Sequence, residues 1–138
     1  MFVYERAVRF EEVDAAGILF FARYLAFAHD AMEAFFGELE GGYPRLITTR
    51  GVGFPAVDVH ASYKAPVRYG DTLRIEVVTS RLGGRSATLR YRMVRGDGIV
   101  SAEIDHTVVS SDLAKMKSVE MPADVRAVFE RHLVDSAG

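Results

Sequence analysis

The sequence predicts an α+β fold, a five-stranded antiparallel sheet wrapped around a long central helix. Two observations carry this. Apolar residues alternate with a period of two in five separate stretches, and the last four are joined mostly by short turns, a connection that makes neighbouring strands antiparallel. Between the first and second stretches, from about Phe21 to Phe36, the spacing becomes helical and the apolar face is much wider than one stripe. A helix of that kind has to be covered, and the sheet is what is available to cover it.

The elements follow in order. In "MFVYERAVRF" Phe2, Tyr4, Val8 and Phe10 fall on one side of a strand and Glu5, Arg9 and Glu11 on the other, with Arg6 as the exception. Asp14 to Gly17 reads as a turn. In the helix, Leu25, Ala28, Met32 and Phe35 fall at i, i+3, i+7 and i+10, and Phe27, Ala31, Ala34 and Phe36 widen the face. Gly37 is the expected residue just past its C-terminus. "GELEGGYPRLITTRGVGFP" is a Gly- and Pro-punctuated connection. Val57, Val59, Ala61 and Tyr63 share one strand face, and so do Leu73, Ile75 and Val77. "RLGG", Arg81 to Gly84, is a hairpin signal, followed by a strand carrying Ala87, Leu89, Tyr91 and Met93. "RGDG" makes the next turn and "IVSAEIDHTVV" the last long strand. A short helix begins at Pro122, with Val125, Phe129 and Leu133 facing inward. Residues 1–138 read as one domain, without repeats, low-complexity tracts or long linkers.

Composition narrows the function. The 138 residues are 49% hydrophobic, enough for a real core. A formal net charge of −2 gives no global attraction for nucleic acid or membrane surfaces. With 0 Cys, thiol nucleophiles, disulfides and Cys-ligated metals are excluded together, which fits a reducing cytoplasm. No apolar run approaches the ~20 residues of a membrane span, and charges at Glu5 and Arg6 argue against a signal peptide. A soluble cytoplasmic protein is expected. His29, His60, His106 and His132 show no metal-ligand spacing, and no serine-hydrolase or dinucleotide-binding motif is present, so neither metal nor cofactor is expected.

One carboxylate stands out. Asp14 lies in a short Ala-Gly turn between a strand and an oily helix. Taken alone, an Asp there is an N-cap or turn residue. Three features add a chemical role. Gly17 lets the backbone take unusual dihedrals or approach a ligand. The helix that follows begins with amide groups lacking internal partners, which can bind developing negative charge. The adjoining segment is apolar, so a pocket there is dry. An acid with an oxyanion-binding amide is a sufficient kit for acyl transfer. Arg81, Arg85, Arg90, Arg92 and Arg95 read mostly as a solvated sheet edge, although Arg85 and Ser86, just past a Gly-Gly turn, can hold a phosphate.

"VRFEEVDAAGILFFARYLAF" resembles the motif of the 4-hydroxybenzoyl-CoA thioesterase family, which has the hot-dog fold. "GVGFPAVDVHASYKAPVRYGDTLRIEV", "GRSATLRY" and "SVEMPADV" resemble that family's later segments, in the same order along the chain. The resemblance implies acyl-CoA thioester hydrolysis. It places the catalytic carboxylate on Asp14, the turn glycine on Gly17 and the thioester-polarising backbone amide on Phe21. It places contacts to the nucleotide end of coenzyme A on Arg85 and Ser86, and Phe54 and Tyr24 are counted with them as candidate substrate contacts. It also implies a homo-oligomer, a dimer or a homotetramer, with the active site formed between paired subunits.

The sequence departs from the family in places. Phe21 stands where a branch associated with the Tol–Pal system carries His, Gly83 and Gly84 stand where an aryl-CoA member has further basic residues, and Phe54 replaces a small polar residue. Two other readings remain: an acyl-CoA-binding domain without turnover, and a hydratase or dehydratase. The latter chemistry needs a His five residues after the Asp, where this chain has Leu19.

Overall fold

The computed structural model describes residues 1–134. The chain runs β1 (Phe2–Ala7), α1 (Arg23–Phe35), α2 (Gly42–Thr48), β2 (Val52–Gly53), β3 (Ala56–Tyr63), β4 (Thr72–Leu82), β5 (Ser86–Val94), β6 (Val100–Val109), β7 (Ser111–Asp112), β8 (Lys117–Ser118) and α3 (Ala123–Arg131). Five strands form an antiparallel sheet in the order β1-β4-β5-β6-β3. The short β2, β7 and β8 make a separate three-stranded sheet.

Alternation does in the sheet what it predicts. Leu73, Ile75 and Val77 of β4 and Leu89, Tyr91 and Met93 of β5 are fully buried on one face, while Arg74, Arg90 and Arg92 between them face solvent. The buried face packs on Tyr24, Phe27, Ala28, Ala31, Met32 and Phe35 of α1. That set falls at i, i+3, i+4, i+7, i+8 and i+11, an amphipathic stripe about two residues wide per turn. Phe36, Phe54 and Phe129 extend the core towards α3 through ring contacts of 5.3–5.7 Å.

Several details differ from the sequence expectation. The helix has 13 residues, so it is shorter than expected and one of three. Its stripe begins at Tyr24 rather than Leu25, which is 44% exposed. Gly37 lies in a single 3₁₀ turn, Phe36–Glu38, and the left-handed backbone comes later, at Gly41 and Gly42. The connection read as irregular contains α2. The first strand stops at Ala7, because a 3₁₀ turn at Phe10–Glu12 swings Phe10 outward, where it packs edge-on against Tyr69. Leu133 falls past the end of α3 and is exposed. The edge strand β3 exposes Val57, Val59 and Tyr63, while Ala61 is partly buried against the core.

Candidate active site

Residues 12–20 form a tight reverse turn ahead of α1. Asp14 and Ile18 pair through the Asp14 N–H (2.8 Å), and Val13 pairs with Leu19. At the open end, the Phe20 N–H donates to the Glu12 carbonyl at 3.0 Å. The Gly17 N–H closes the tip on the Asp14 carbonyl at 2.9 Å. Gly17 sits at φ +80° with nothing within 4 Å of where a Cβ would be, so the backbone conformation, and not crowding, calls for glycine. The Leu19 N–H ties the turn to the Val67 carbonyl, in the β3–β4 connection, at 2.7 Å.

Asp14 is exposed at this tip. Its Oδ1 accepts from the Ala16 N–H at 2.8 Å and the Ile18 N–H at 3.4 Å, which fixes the side chain. Its Oδ2 makes no hydrogen bond among the described residues. The carboxylate does not cap α1: the N-cap position is Ala22, and no side chain caps that end. The Arg23 N–H turns back to the Phe20 carbonyl at 2.8 Å, while the Phe21 and Ala22 N–H groups donate to nothing among the described residues.

An open groove of about 340 Å³ lies at this helix start, lined by Ile18, Phe21, Tyr24, Tyr63, Lys64 and Pro66 among others. Tyr24 is 4% exposed, and burial first, then the neighbouring Tyr63, holds its phenol above the usual range. Tyr63 packs edge-on to Tyr24 at 5.1 Å and its hydroxyl donates to the Phe21 carbonyl at 3.2 Å. Sequence reasoning missed this contact: alternation assigned Tyr63 to a face and gave no sign of a partner 42 residues earlier.

It also missed the anchor beneath the turn. Glu12 is 4% exposed, and its carboxylate accepts two hydrogen bonds from Arg6, at 2.5 and 3.1 Å, and one from the Arg9 N–H at 2.8 Å. Burial works to raise the Glu12 carboxyl, but the Arg9 N–H and the Arg6 guanidinium outweigh it and hold the group below its usual value. Arg6 also lies 4.3 Å over the Phe27 ring. The residue that broke the strand pattern is therefore a tie between β1, the turn and α1.

The expected site residues separate into two places. Asp14, Gly17, Phe21 and Tyr24 gather at one end of the sheet. Arg85 and Ser86 lie at the other, since Tyr63 is opposite Ala102, Ala102 is opposite Met93, and Ser86 is seven residues from Met93, about 23 Å along β5. Arg85 is exposed and its guanidinium donates to the Ser118 carbonyl and hydroxyl, at 3.2 and 3.1 Å. Phe54 is 4% exposed and stacked in the core against Phe36, so in this chain it lines neither place. Among the described residues no group of three His, Asp or Glu side chains is disposed to hold a metal ion.

A turn carrying a fixed carboxylate, leading into uncapped helix amides beside an aromatic groove, suits attack on an acyl carbonyl. The comparisons agree with this chemistry. The model of the thioesterase-like superfamily matches residues 8–129. The chain belongs to that superfamily. It is a hot-dog thioesterase, and it resembles solved members over nearly its whole length. The thioesterase-superfamily protein from Jannaschia sp. CCS1 is 30% identical, with a TM-score of 0.89 over 96% of this chain and 93% of that one. A gentisyl-coenzyme A thioesterase is also 30% identical, with a TM-score of 0.82 over 90% of this chain and 98% of that one. Among relatives known by sequence, the 1,4-dihydroxy-2-naphthoyl-CoA hydrolase of Nostoc punctiforme is 27% identical, covering 99% of this chain and 92% of its own length. The acyl-CoA thioesterase YbgC of Haemophilus influenzae is 28% identical, covering 88% and 89%.

Proposed function

We propose that this acyl-CoA thioester hydrolase acts on aromatic acyl groups, with Asp14 as the reacting carboxylate and the Phe21 backbone amide as the oxyanion donor. The observation that carries the reading is the turn of residues 12–20. It holds the Asp14 carboxylate at its tip and leads, one residue past its base, to the Phe21 N–H, which has no acceptor among the described residues. The thioester carbonyl oxygen accepts from that N–H, and the charge that builds on it in the tetrahedral intermediate is met by the start of α1.

Asp14 acts in one of two ways. As nucleophile it adds to the carbonyl carbon, the C–S bond breaks with coenzyme A leaving as thiolate, and water hydrolyses the resulting anhydride. As general base it takes a proton from a water that adds to the same carbon. Label from water found in the Asp14 side chain after a single turnover marks the anhydride route, because the general-base route leaves the Asp14 oxygens untouched.

Aromatic acyl groups are supported by the rings of Phe21, Tyr24 and Tyr63 along the groove, and by the naphthoyl and gentisyl groups named for relatives. Arg85 and Ser86, proposed to hold the nucleotide phosphates, lie at the end of the sheet opposite Asp14. A two-fold pairing of two β3 edges runs the strands antiparallel and carries the Arg85 end of one copy towards the Asp14 end of the other. The site is accordingly shared between copies of a homo-oligomer. The direct test is release of free thiol from a panel of acyl-CoA esters. Turnover of benzoyl-type esters at higher kcat/KM than acetyl- or butyryl-CoA is the expected result. Preference for the aliphatic esters overturns the aromatic assignment, and no turnover of any ester overturns the hydrolytic one.

A further inference from the structure

Past the groove at Phe21 lies a second cavity, of about 140 Å³, lined by Leu25, Ala28, His29, Val59, Ile104 and His106. The groove and the cavity share no lining residue, but both take residues from α1 and from β3. Leu25 and His29, four residues apart, share one ridge of α1, which starts just past Phe21, and lie roughly 6 Å from each other along its axis. Across from them, Val59 and Tyr63 are four residues apart on one face of β3, and His106 is paired directly opposite Val59. An acyl group whose carbonyl oxygen rests on the Phe21 N–H extends along this ridge into the cavity. Its volume matches one aromatic ring: an apolar cavity of about 150 Å³ in another protein binds benzene.

The cavity has one polar feature of fixed polarity. The wholly buried Tyr91 meets Nδ1 of His106 through its hydroxyl at 3.1 Å. Burial pushes the Tyr91 phenol well up, so it keeps its proton. That hydroxyl has no other partner among the described residues, and a buried O–H left without an acceptor is costly. Tyr91 therefore donates to Nδ1, and the imidazole proton resides on Nε2. Burial, and after it the neighbouring His29, lowers the His106 pKa, which favours the neutral ring. Nε2–H is left as a donor with no protein acceptor among the described residues, at a cavity whose other lining residues, His29 excepted, are apolar.

We propose that this cavity receives the distal aromatic ring of the acyl group, and that His106, oriented by Tyr91, donates from Nε2 to an oxygen on that ring. The pair makes the enzyme selective for oxygenated over plain aromatic acyl groups. The inference rests on the aromatic reading of the substrate given above.

Matched pairs of substrates test it: benzoyl- against 4-hydroxybenzoyl-CoA, and cinnamoyl- against 4-hydroxycinnamoyl-CoA. The expected result is that in at least one pair the hydroxylated ester has a kcat/KM about tenfold higher or more, as one hydrogen bond to a buried donor supplies. In His106→Leu that ratio falls to within about twofold of one. In His106→Gln, whose amide N–H reaches towards the place of Nε2–H, part of it remains. Tyr91→Phe keeps the ring but frees the tautomer, so the ratio drops there too; this variant decides the matter if His106→Leu does not fold. A ratio near one for the wild type in both pairs, or a wild-type ratio that persists in His106→Leu or, failing that variant, in Tyr91→Phe, overturns the proposal. Turnover of all four esters without discrimination overturns this inference alone. Turnover of butyryl-CoA but none of the four removes the aromatic reading beneath it.

Discussion

Tyr63 shows how a single hydroxyl serves the site without touching the carbonyl that reacts. Its O–H holds the Phe21 carbonyl, and so the residue whose N–H is proposed to face the substrate. The side chain is about half exposed, so Tyr63→Phe removes less than ~1 kcal/mol of stability. Its effect on turnover is larger. With Phe21 less firmly held, kcat falls several-fold while KM moves little, because what is lost is alignment with the transition state. Steady-state kinetics beside a thermal melt on the same preparation checks this; an unchanged kcat returns Tyr63 to plain packing. The sequence made Asp14 and Gly17 legible, since an acid and a glycine in a short turn before a helix have local reasons to be there. Tyr63 had none, because its partner is distant in the chain and alternation is blind to hydroxyl contacts.

At the level of elements, the turn of residues 12–20 is held from below by the Arg6–Glu12 pair. Removing one partner of a buried pair leaves the other uncompensated, and for Glu12→Gln, which keeps an acceptor, the cost is about 2 kcal/mol. A urea titration reads it as a lower midpoint at constant slope. The pH dependence has a definite sign. The Glu12 carboxyl titrates lower in the folded chain than in the unfolded one, so its contribution is present above the unfolded value, about pH 4.3, and is lost as pH falls through the folded value. The difference between wild type and Glu12→Gln should therefore be full at pH 7 and shrink below about pH 4; a difference that grows in acid contradicts the assignment. Periodicity found α1 and most of its buried stripe, Phe27, Ala28, Ala31, Met32 and Phe35, but put Leu25 in it and left Tyr24 out, because Leu25 is as oily as the residues that face the core. A hydrophobic pattern reports an oily ridge that faces outward beside a groove as core.

For the whole molecule, five strands and a helix against one face of the sheet were legible from period and turn chemistry. The exposure of β3 was not, since a strand at the edge of a sheet has the same alternation as one inside it. The separation of Arg85 from Asp14 was equally invisible, and it gives the assembly its sharpest test. Asp14→Asn and Arg85→Ala each lose activity alone, the first in kcat and the second mainly in KM. Mixed by co-refolding, they form hetero-oligomers in which one kind of site joins an intact Asp14 to an intact Arg85. Activity should return in the mixture, and light scattering should give a dimer or larger; no recovery in a confirmed mixed oligomer contradicts the shared site. The central claim is that the Asp14 carboxylate does the chemistry, and kcat of Asp14→Asn against its own melting temperature tests it most directly. Asn keeps the oxygen that accepts the Ala16 N–H, so the turn and the melting temperature are retained. The account predicts a kcat lower by ~10²–10⁴ for loss of a general base, and more for loss of a nucleophile. A folded Asp14→Asn enzyme whose kcat stays within a few-fold of wild type would contradict it.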